Sequence, residues 1–326
     1  MAVYTKITTS QLQQHLTNYH LGELLKVTEI IDGIDNSNFI IHTTQNKFIL
    51  TIFEKRINHQ DLPFFINLKE HLAQKNISCP KPIADNNNQF ITKLVNKDSV
   101  IVSFLNGKTL QANQQGYYLN ITNKHCQEVG QVLAKMHLAV SDFKGYRNND
   151  LGINNFQNLF NKFAKNLPEY QKGLDIEIAD GIELLGSLWQ KNYNQQMPSH
   201  PVHLDLFADN VFFDDQQNLT GVIDFYFAGN DLLIYDLAIT VNAWCFDQTK
   251  FNNEKFLNML DSYQKVREIN NYEKKFLNIA LTTASLRFLL TRLHDMFFTN
   301  KNSLVKIKDP QEYLEKFRYF KQQIIN

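Results

Sequence analysis

Apolar and β-branched residues recur with strand-like spacing in the first third of the chain. The stretch LKVTEIIDGIDNSNFIIHTTQNKFILTIFEK, residues 25–55, predicts consecutive strands, with turns at DGIDNSN and TTQNK. A helical spacing follows in LPFFINLKEHLAQKN, where Pro63 suits a first helical turn. Strands return in ISCPKPIADNNNQFITKLVNKDSVIVSFLNG, with ADNNNQ as the expected hairpin turn. We therefore expect residues 1–105 to form a β-rich lobe that carries one helix.

The pattern changes to a helical period after LNGKTL. Apolar residues have helical spacing in NKHCQEVGQVLAKMHLAV, NNFQNLFNKFAKNL and IADGIELLGSLWQKNYNQQM. Two short strand-like runs, NVFFD and LTGVIDF, interrupt this pattern, and the chain from Leu237 onward is mostly helical again. The sequence thus predicts an α+β protein with two lobes, the second of which, residues 106–326, is largely helical.

Length, composition and charge are those of a globular protein with a sizeable core. The 326 residues suffice for two lobes, and 43% hydrophobic content with 25 Phe and 13 Tyr allows a sizeable core. Lys plus Arg and Asp plus Glu balance at 33 each, so the charge does not favour a nucleic-acid or anionic membrane surface.

Cysteine usage and the N-terminal segment indicate a cytoplasmic protein. The three cysteines, Cys79, Cys126 and Cys245, are widely spaced and form no metal-binding pattern, so we expect buried thiols in a reducing compartment. MAVYTKITTSQLQQHL lacks the apolar run of a signal peptide. The most apolar segment, FLNIALTTASLRFLL, contains Arg287 and falls short of a membrane span.

The segment HLDLFADN, His203 to Asn210, carries two aspartates and an asparagine among core-like apolar residues. Isolated buried carboxylates are costly unless something pairs with them, and Mg²⁺ prefers carboxylate and amide oxygens. We expect Asn210 and Asp224, on strand ends joined by the turn DDQQN, to bind Mg²⁺. Asp205 is then free to accept a proton from a hydroxyl group. The alternative is an acidic hairpin whose Asp and Asn residues only cap turns.

The order of these residues is similar to that of protein kinases. His203-x-Asp205-x4-Asn210 followed by Asp224-Phe225 matches the kinase catalytic loop and metal-binding aspartate. The form HxDLxxxN…IDF resembles the aminoglycoside phosphotransferase and choline kinase group. CPKPI, SFLNGKTL, VGQVLAKMHLAV and IDFYFAGNDLLIYDLAITVNAWCF resemble its homoserine kinase branch. This resemblance implies a two-lobed kinase-like fold, ATP and Mg²⁺ as cofactors, and phosphorylation of the L-homoserine side-chain hydroxyl, a step toward threonine.

The resemblance also implies nucleotide contacts. GIDNSN occupies the place of the phosphate-covering loop, SFLNG that of the hinge, and one phenylalanine that of the adenine-pocket floor. The expected nucleotide-binding residues are Gly33, Asn36, Ser37, Asn38, Ser103, Phe104, Leu105 and Phe212. His203 is expected to brace the loop near Asp224 rather than act as an acid or base. Asp209 is expected to cap the turn before Asn210.

One position departs from the kinase pattern. Thr51, in FILTIF, stands where kinase-like enzymes have a lysine that pairs with a helix glutamate. Lys47 and Lys55 share its strand face but lie about 13 Å away along a strand, too far for a simple exchange. Glu70, in the following helix, comes later than the expected glutamate. We interpret Thr51 as a feature of the subgroup, with the basic residue at the phosphates unidentified.

Homoserine carries a carboxylate and an ammonium, so its pocket needs a cationic and an anionic side. Arg287 is the better arginine candidate for the carboxylate, with a buried ion pair to a distant acid as the alternative, because Arg292 has Asp295 as a local partner. For the ammonium, the candidates in and after the hairpin are Asp205, Tyr226, Asn230 and Asp231. Trp244 could pack on the substrate or make a cation–π contact. Asp236 is expected to be a helix N-cap.

Three functions compete for this pattern. The first is homoserine phosphorylation, and the second is phosphorylation of choline, ethanolamine or an aminoglycoside by the same fold. Choline would favour an aromatic cage, and aminoglycosides would favour a strongly acidic cleft. The third is a kinase-like regulator that binds nucleotide without catalysis, which the missing strand lysine favours. The intact set Asp205, Asn210 and Asp224 favours an enzyme. The sequence does not predict an oligomeric state.

Overall fold

The computed structural model describes residues 4–30, 36–54, 58–113, 115–299 and 307–325. Contacts between residues divide the chain into two compact units. The first unit comprises Met1–Gly107 and Thr220–Tyr226, and the second comprises Lys108–Leu219 and Phe227–Asn326. The short return of the chain to the first unit carries Asp224. The sequence-based division into 1–105 and 106–326 has no such return.

The first unit combines an antiparallel sheet with two helices. Its helices are α1 (Thr9–Leu16) and α2 (Leu62–Gln74), and its strands are β1 (Leu24–Ile30), β2 (Asn36–Thr43), β3 (Lys47–Phe53), β4 (Pro82–Ile83), β5 (Thr92–Leu94) and β6 (Lys97–Ser103). The strands pair in the order β1-β2-β3-β6-β4, and β5 also pairs with β6. Pro63 lies in the first turn of α2, as the sequence predicts.

The two faces of this sheet bury different sets of side chains, because successive residues of a strand point to opposite sides. On one side, Leu50 and Ile52 of β3 pack in a cluster with Leu12 and Leu16 of α1. On the other side, Phe53 of β3 packs in a cluster with residues of α2. By this alternation Thr51 lies on the α2 side.

The prediction that ADNNNQ joins two strands of a hairpin is wrong. The segment forms a compact turn in which the Asp85 N–H donates to the Gln89 carbonyl, but the strands before and after it both pair with β6 rather than with each other. The hairpin lies further on, where Val95 and Asn96 join β5 to β6 with positive φ angles of 46° and 64°. Two consecutive left-handed residues match the twist of a tight hairpin. The sequence does not indicate this turn, because valine is an unusual residue at a left-handed position.

The second unit is mostly helical. Its helices are α3 (Asn123–Ala139), α4 (Phe156–Asn161), α5 (Leu167–Tyr170), α6 (Leu174–Asn192), α7 (Leu233–Trp244), α8 (Asn253–Gln264), α9 (Asn271–Phe298) and α10 (Gln311–Ile325). Its short strands are β7 (Lys108–Thr109), β8 (Ser199–Val202), β9 (Val211–Phe213), β11 (Gly229–Leu232), β12 (Phe246–Asp247) and β13 (Lys250–Phe251), and β10 (Leu219–Val222) runs across the division between the units. These elements confirm the predicted α+β class.

Helix ends and burial explain why these segments are helical. Thr122 is the N-cap of α3 and Asn270 is the N-cap of α9. Each forms reciprocal hydrogen bonds with the third helical residue, so backbone N–H groups at the N-terminus of each helix are satisfied. Every residue of α7 is buried, including the polar residues Asp236, Thr240 and Asn242, so the helix lies within the core. Among the residues that the structure describes, no helix combines the length and apolar character needed to cross a membrane.

Close packing of α3 on α8 requires a glycine at position 130. A Cβ atom at Gly130 would lie 2.3 Å from the backbone carbonyl oxygen of Met259, whereas a Cβ at Gly186 in α6 would meet no atom within 4 Å. We expect Gly130→Ala to lower the free energy of unfolding by about 1–3 kcal/mol through overpacking. The matched control Gly186→Ala should raise it by up to about 1 kcal/mol, because alanine is the better helix former. Thermal unfolding of both variants tests this, and equal melting temperatures would contradict it.

Candidate active site

The loop His203–Asn210 is held through its own backbone by three side chains of the second unit. Asp236 accepts hydrogen bonds from the N–H groups of His203 and Leu204, at 3.0 and 2.7 Å. Arg287 Nη1 donates to the Leu204 carbonyl at 2.6 Å, and Trp244 Nε1 donates to the Leu206 carbonyl at 2.8 Å. Because these contacts are made to main-chain atoms, they fix the path of the loop on both sides of Asp205.

Asp236 is fully buried in α7, so its charge must be compensated locally. Burial by itself would raise the pKa of this carboxyl, but the hydrogen bond from His137 Nε2 and those from the loop outweigh it and hold the pKa below its ordinary value. The expectation that Asp236 caps the helix is wrong. The helix begins at Leu233, one turn earlier, and the carboxylate binds the loop instead.

A chain of buried polar groups continues from Asp236 into α8 and α9. The Tyr263 hydroxyl donates to His137 Nδ1 at 2.7 Å and accepts a hydrogen bond from Arg267 at 2.8 Å. Arg267 forms an ion pair with Glu273 at 2.8 Å. Burial lowers the pKa of His137, so its imidazole is neutral and donates one proton to Asp236. Each member of this chain therefore has a partner.

Leu204 adopts a left-handed backbone conformation, with φ of 62°. This conformation is unfavourable for a residue with a bulky side chain and persists only where the surroundings impose it. Here its N–H is bound by Asp236 and its carbonyl by Arg287, on opposite ends of the same residue. Leu204 immediately precedes Asp205, so its held backbone fixes the direction in which the chain enters Asp205.

Two residues that the sequence suggested for substrate binding thus have structural partners. Trp244 is fully buried and its indole N–H is donated to the loop. Arg287 is 2% exposed, and its guanidinium lies over the Phe288 ring at 4.6 Å from the centroid. Both placements favour roles in positioning the loop. The sequence gives no indication that Arg287 binds Leu204, because the two residues are 83 positions apart.

Asn210 is oriented by Asp205. Its Nδ2 atom donates to the Asp205 carbonyl at 2.8 Å, so the amide group can be assigned, and its Oδ1 atom is the one left for another partner. Among the described residues, none donates a hydrogen bond to that oxygen. An amide oxygen beside a carboxylate suits a hard cation such as Mg²⁺. The donor chemistry of this residue therefore fits the expected metal ligand.

Asp224 lies in the first unit, just after β10, and is exposed. Its φ of 64° is left-handed, a conformation that asparagine and aspartate tolerate better than most residues. The preceding strand is held by the Val222 N–H, which donates to the Ser78 carbonyl at 2.9 Å. An exposed carboxylate at a constrained turn is suited to bind a cation.

His203 is almost fully buried, and its Nδ1 accepts a hydrogen bond from the Asp205 N–H at 3.3 Å. Together with its backbone bond to Asp236, this contact favours the expected bracing role. Asp209 is exposed, and its carboxylate lies 3.5 Å from Lys308 Nζ. Neither residue requires a catalytic function to explain its position.

These features can be compared with known proteins. The family described as "Phosphotransferase enzyme family" matches residues 26–269, which include the loop and Asp224. The chain belongs to this phosphotransferase family. A homoserine kinase of Agrobacterium fabrum is 42% identical over 320 residues, covering 98% of this chain and 95% of that protein.

Solved structures at low identity confirm the kinase-like fold. An amicoumacin kinase in complex with AMP-PNP and Ca²⁺ has a TM-score of 0.67 and 14% identity, covering 98% of this phosphotransferase and 93% of that chain. A spectinomycin phosphotransferase in complex with ADP and spectinomycin has the same TM-score and identity, with 98% and 95% covered.

The residues of the expected phosphate-covering loop lie in a strand of the phosphotransferase. Asn36, Ser37 and Asn38 begin β2 and pair with β3, so a loop at these positions is wrong; Gly33 lies outside the described residues. Their side chains are bound within the first unit. Ser37 Oγ accepts from the Thr5 N–H, and Asn38 Oδ1 accepts from Thr51 Oγ1 at 2.8 Å. Nucleotide contacts from these three residues remain predictions.

The expected hinge follows β6, of which Ser103 is the last residue. The Ser103 N–H donates to the Lys81 carbonyl at 2.9 Å, which leaves adenine contacts to other groups of SFLNG. Lys47 Nζ lies over the Phe104 ring, 5.6 Å from its centroid. The Leu105 side chain packs closely on Gly221, where an added Cβ atom would lie only 2.5 Å from it. On β9, Phe213 is buried and the half-buried Phe212 points to the opposite side.

The other substrate candidates lie in different units. Tyr226, in the first unit, packs edge-on against Phe53 and Phe65, with centroid distances of 5.7 and 5.6 Å. In the second unit, Asn230 Oδ1 accepts a hydrogen bond from the Arg147 N–H at 3.0 Å. Its neighbour Asp231 accepts one from Asn149 at 2.6 Å, and burial raises the pKa of that carboxyl.

The expected pairing of Arg292 with Asp295 is wrong. Arg292 pairs with Glu312 of α10 at 2.7 Å and with the Asp309 carbonyl at 2.8 Å. Glu312 also binds Lys316 at 2.6 Å, so one half-buried acid holds two buried cations. Arg292, Glu312 and Lys316 line a small cavity together with Phe207 of the loop. Because these three charged residues pair with one another, a structural role is favoured.

The anchoring of the loop by Asp236 leads to a direct test. An asparagine has one acceptor oxygen instead of two, so in Asp236→Asn at least one of the N–H groups of His203 and Leu204 loses its acceptor. We expect this variant to lose about 1–3 kcal/mol of stability and to exchange the His203 and Leu204 amide hydrogens faster. Thermal unfolding and hydrogen exchange measure both effects.

The control is Asp209→Asn, an exposed aspartate of the same loop whose ion pair is worth at most about 1 kcal/mol. Unchanged exchange at His203 and Leu204 in Asp236→Asn would show that the loop does not depend on this carboxylate.

Proposed function

We propose that this phosphotransferase is a homoserine kinase, which transfers the γ-phosphoryl group of ATP to the side-chain hydroxyl of L-homoserine and gives O-phospho-L-homoserine. The observation that carries the proposal is the 42% identity to a homoserine kinase across 98% of this chain. The anchored loop with Asp205 agrees with it, because phosphoryl transfer depends mainly on positioning and charge stabilisation.

Asp205 is the proposed general base. It orients the substrate hydroxyl and takes its proton as the oxygen attacks the γ-phosphorus. The Asp236 and Arg287 contacts to Leu204 hold the adjoining backbone, so the carboxylate is positioned before the substrate arrives. The reaction breaks the bond between the γ-phosphorus and the bridging oxygen of ATP, and ADP leaves.

Asn210 and Asp224 are the proposed ligands of Mg²⁺. The assignment combines the order of these residues in the sequence with the orientation of the Asn210 amide and the exposed Asp224 carboxylate. When bound, Mg²⁺ would neutralise charge on the phosphate oxygens.

The proposed nucleotide contacts lie at the start of β2 and at the hinge, with Phe212 below the adenine. For the substrate ammonium, Tyr226 and Asn230 remain candidates, and Asp231 is the neighbouring carboxylate. The proposed compartment is the cytoplasm. All three cysteines are free and buried, which suits a reducing environment.

The substrate can be tested with purified protein. We expect ATP consumption to be stimulated by L-homoserine and not by choline, ethanolamine or kanamycin, and to stop when EDTA removes divalent cations, because Mg²⁺ stabilises the charge of the transferred group. A coupled ADP assay across these four alcohols measures it. Stimulation by another alcohol would assign a different substrate to the same fold, and nucleotide binding without turnover would favour a regulator.

The base assignment predicts a variant with a specific defect. Asp205→Asn should lower kcat by about 100-fold or more, because the isosteric amide cannot accept the proton, while ATP affinity stays nearly unchanged. Steady-state kinetics and calorimetry separate the two quantities. The control is Asp215→Asn in the exposed turn after β9, whose ion pair with Lys108 is fully solvated. Wild-type turnover in Asp205→Asn would rule out Asp205 as the base.

A further inference from the structure

A buried lysine in the first unit forms no ion pair within the part of the chain that the structure describes. Lys69, in α2, is 6% exposed, and its Nζ lies 5.2 Å from the centroid of the Tyr226 ring. Among the residues that the structure describes, none forms an ion pair or a side-chain hydrogen bond with this ammonium group. An unpaired buried charge is costly to the folded state, so its retention points to a ligand that supplies the missing negative charge.

The position of Lys69 on α2 directs it to the α2 side of the sheet. Leu62, Ile66 and Lys69 are spaced by four and three residues, so they share one helix face. Leu62 and Ile66 of that face pack in the same cluster as Phe53 of β3. By strand alternation, Thr51 points to this side of the sheet as well. The ammonium group and the position that lacks the expected lysine therefore lie on the same side.

Lys69 lies near the turn that carries Asp224, because Tyr226, whose ring centroid is 5.2 Å from Lys69 Nζ, is two residues after Asp224. Burial lowers the pKa of Lys69 to about 8, and this shift is opposed by Cys79 and by the carboxylate of Asp224. With a pKa of about 8 the side chain is still mostly protonated at neutral pH. A positive charge is thus present near the proposed metal ligand of the first unit.

Other residues of the first unit that could replace the lysine missing from β3 have different contacts or positions. Thr51 Oγ1 donates to Asn38. Lys97 pairs with Glu54, and Lys93 pairs with Asp98 at 2.7 Å. Lys47 is exposed above the Phe104 ring, and Lys55 lies outside the described residues. In α2, Glu70 Oε1 accepts from Gln74, a helix neighbour, rather than from a strand lysine.

We propose that the Lys69 ammonium binds the phosphate chain of the nucleotide, at the end that Asp224 approaches, and so replaces from a helix the lysine that β3 lacks. Phosphate oxygens would supply the negative charge that the buried ammonium lacks in the protein. An ammonium suits this role as a compact charge with three donors. The inference rests on the proposed function, because it requires a nucleoside triphosphate as a substrate.

The variant Lys69→Met tests the proposal, since methionine keeps an unbranched side chain and removes the charge. We expect AMP-PNP affinity in the presence of Mg²⁺ to fall by about tenfold or more, because a charge-assisted hydrogen bond is lost. Adenosine, which has no phosphates, should bind as it does to the wild type. The melting temperature should stay equal or rise, because an unpaired buried charge has been removed. Calorimetry and thermal unfolding measure these quantities.

The control is Lys26→Met, an exposed lysine on β1 of the same unit. It should change neither affinity. Unchanged AMP-PNP affinity in Lys69→Met would overturn the proposal. Equal weakening of AMP-PNP and adenosine with a lower melting temperature would also overturn it, because Lys69 would then support only the fold.

A measurement on the unmodified protein covers the case in which Lys69→Met does not fold. The ¹⁵N signal of Lys69 Nζ should shift when AMP-PNP is added and should not shift with adenosine. The absence of a shift with AMP-PNP would overturn the proposal. These experiments use nucleotide alone, so their result is separate from the homoserine assay. A wild-type protein that ignores homoserine would contradict the proposed substrate and leave the Lys69 result to be judged on its own.

Discussion

The carboxylate of Asp236 binds two consecutive backbone N–H groups, those of His203 and Leu204, in the interior of the second unit. The geometry around Asp205 depends on this interaction, because the left-handed backbone of Leu204 is maintained by it together with Arg287. A buried carboxylate is stable only with donors around it, and here the loop itself provides two of them. The core and the loop therefore depend on the same buried contacts.

The polar chain that begins at Asp236 also links elements far apart in sequence. Through hydrogen bonds, His137 in α3 is followed by Tyr263 near the end of α8, by Arg267 just after that helix, and by Glu273 in α9. Glu273 both pairs with Arg267 and closes the N-terminal cap of α9. Because a buried polar network is favourable only when every member is satisfied, the loop is supported by a connected set rather than by isolated contacts.

Much of the fold follows from local pattern in the sequence. The period of apolar residues predicted the strands of the first unit and the main helices of the second, and the spacing of Asp205, Asn210 and Asp224 indicated the phosphotransferase chemistry. Long-range partners do not follow from local pattern. Trp244 and Leu206 are 38 residues apart. Nothing near either residue in the sequence shows that an indole will bind a loop carbonyl, so this contact could not be predicted, and the expected substrate contact of Trp244 stays a prediction.

Other errors have equally physical causes. Asp236 has the residue type of a helix cap, but α7 starts earlier because the apolar residues Leu233 and Ile234 continue its buried face. ADNNNQ has turn composition, but strand pairing is decided by β6, which pairs with the strands on both sides of it. Lys69 appears as one polar residue in an amphipathic helix. Only its burial distinguishes it from the exposed lysines.

Each of the three anchors of the loop binds a main-chain atom, and this has an evolutionary consequence. These hydrogen bonds do not select the apolar side chains between the polar ones, which are constrained instead by packing in the core. Selection on the loop path should therefore fall on Asp236, Trp244 and Arg287. In remote relatives, retention of these three residues would indicate a preserved backbone path of the loop better than the identity of the loop residues does.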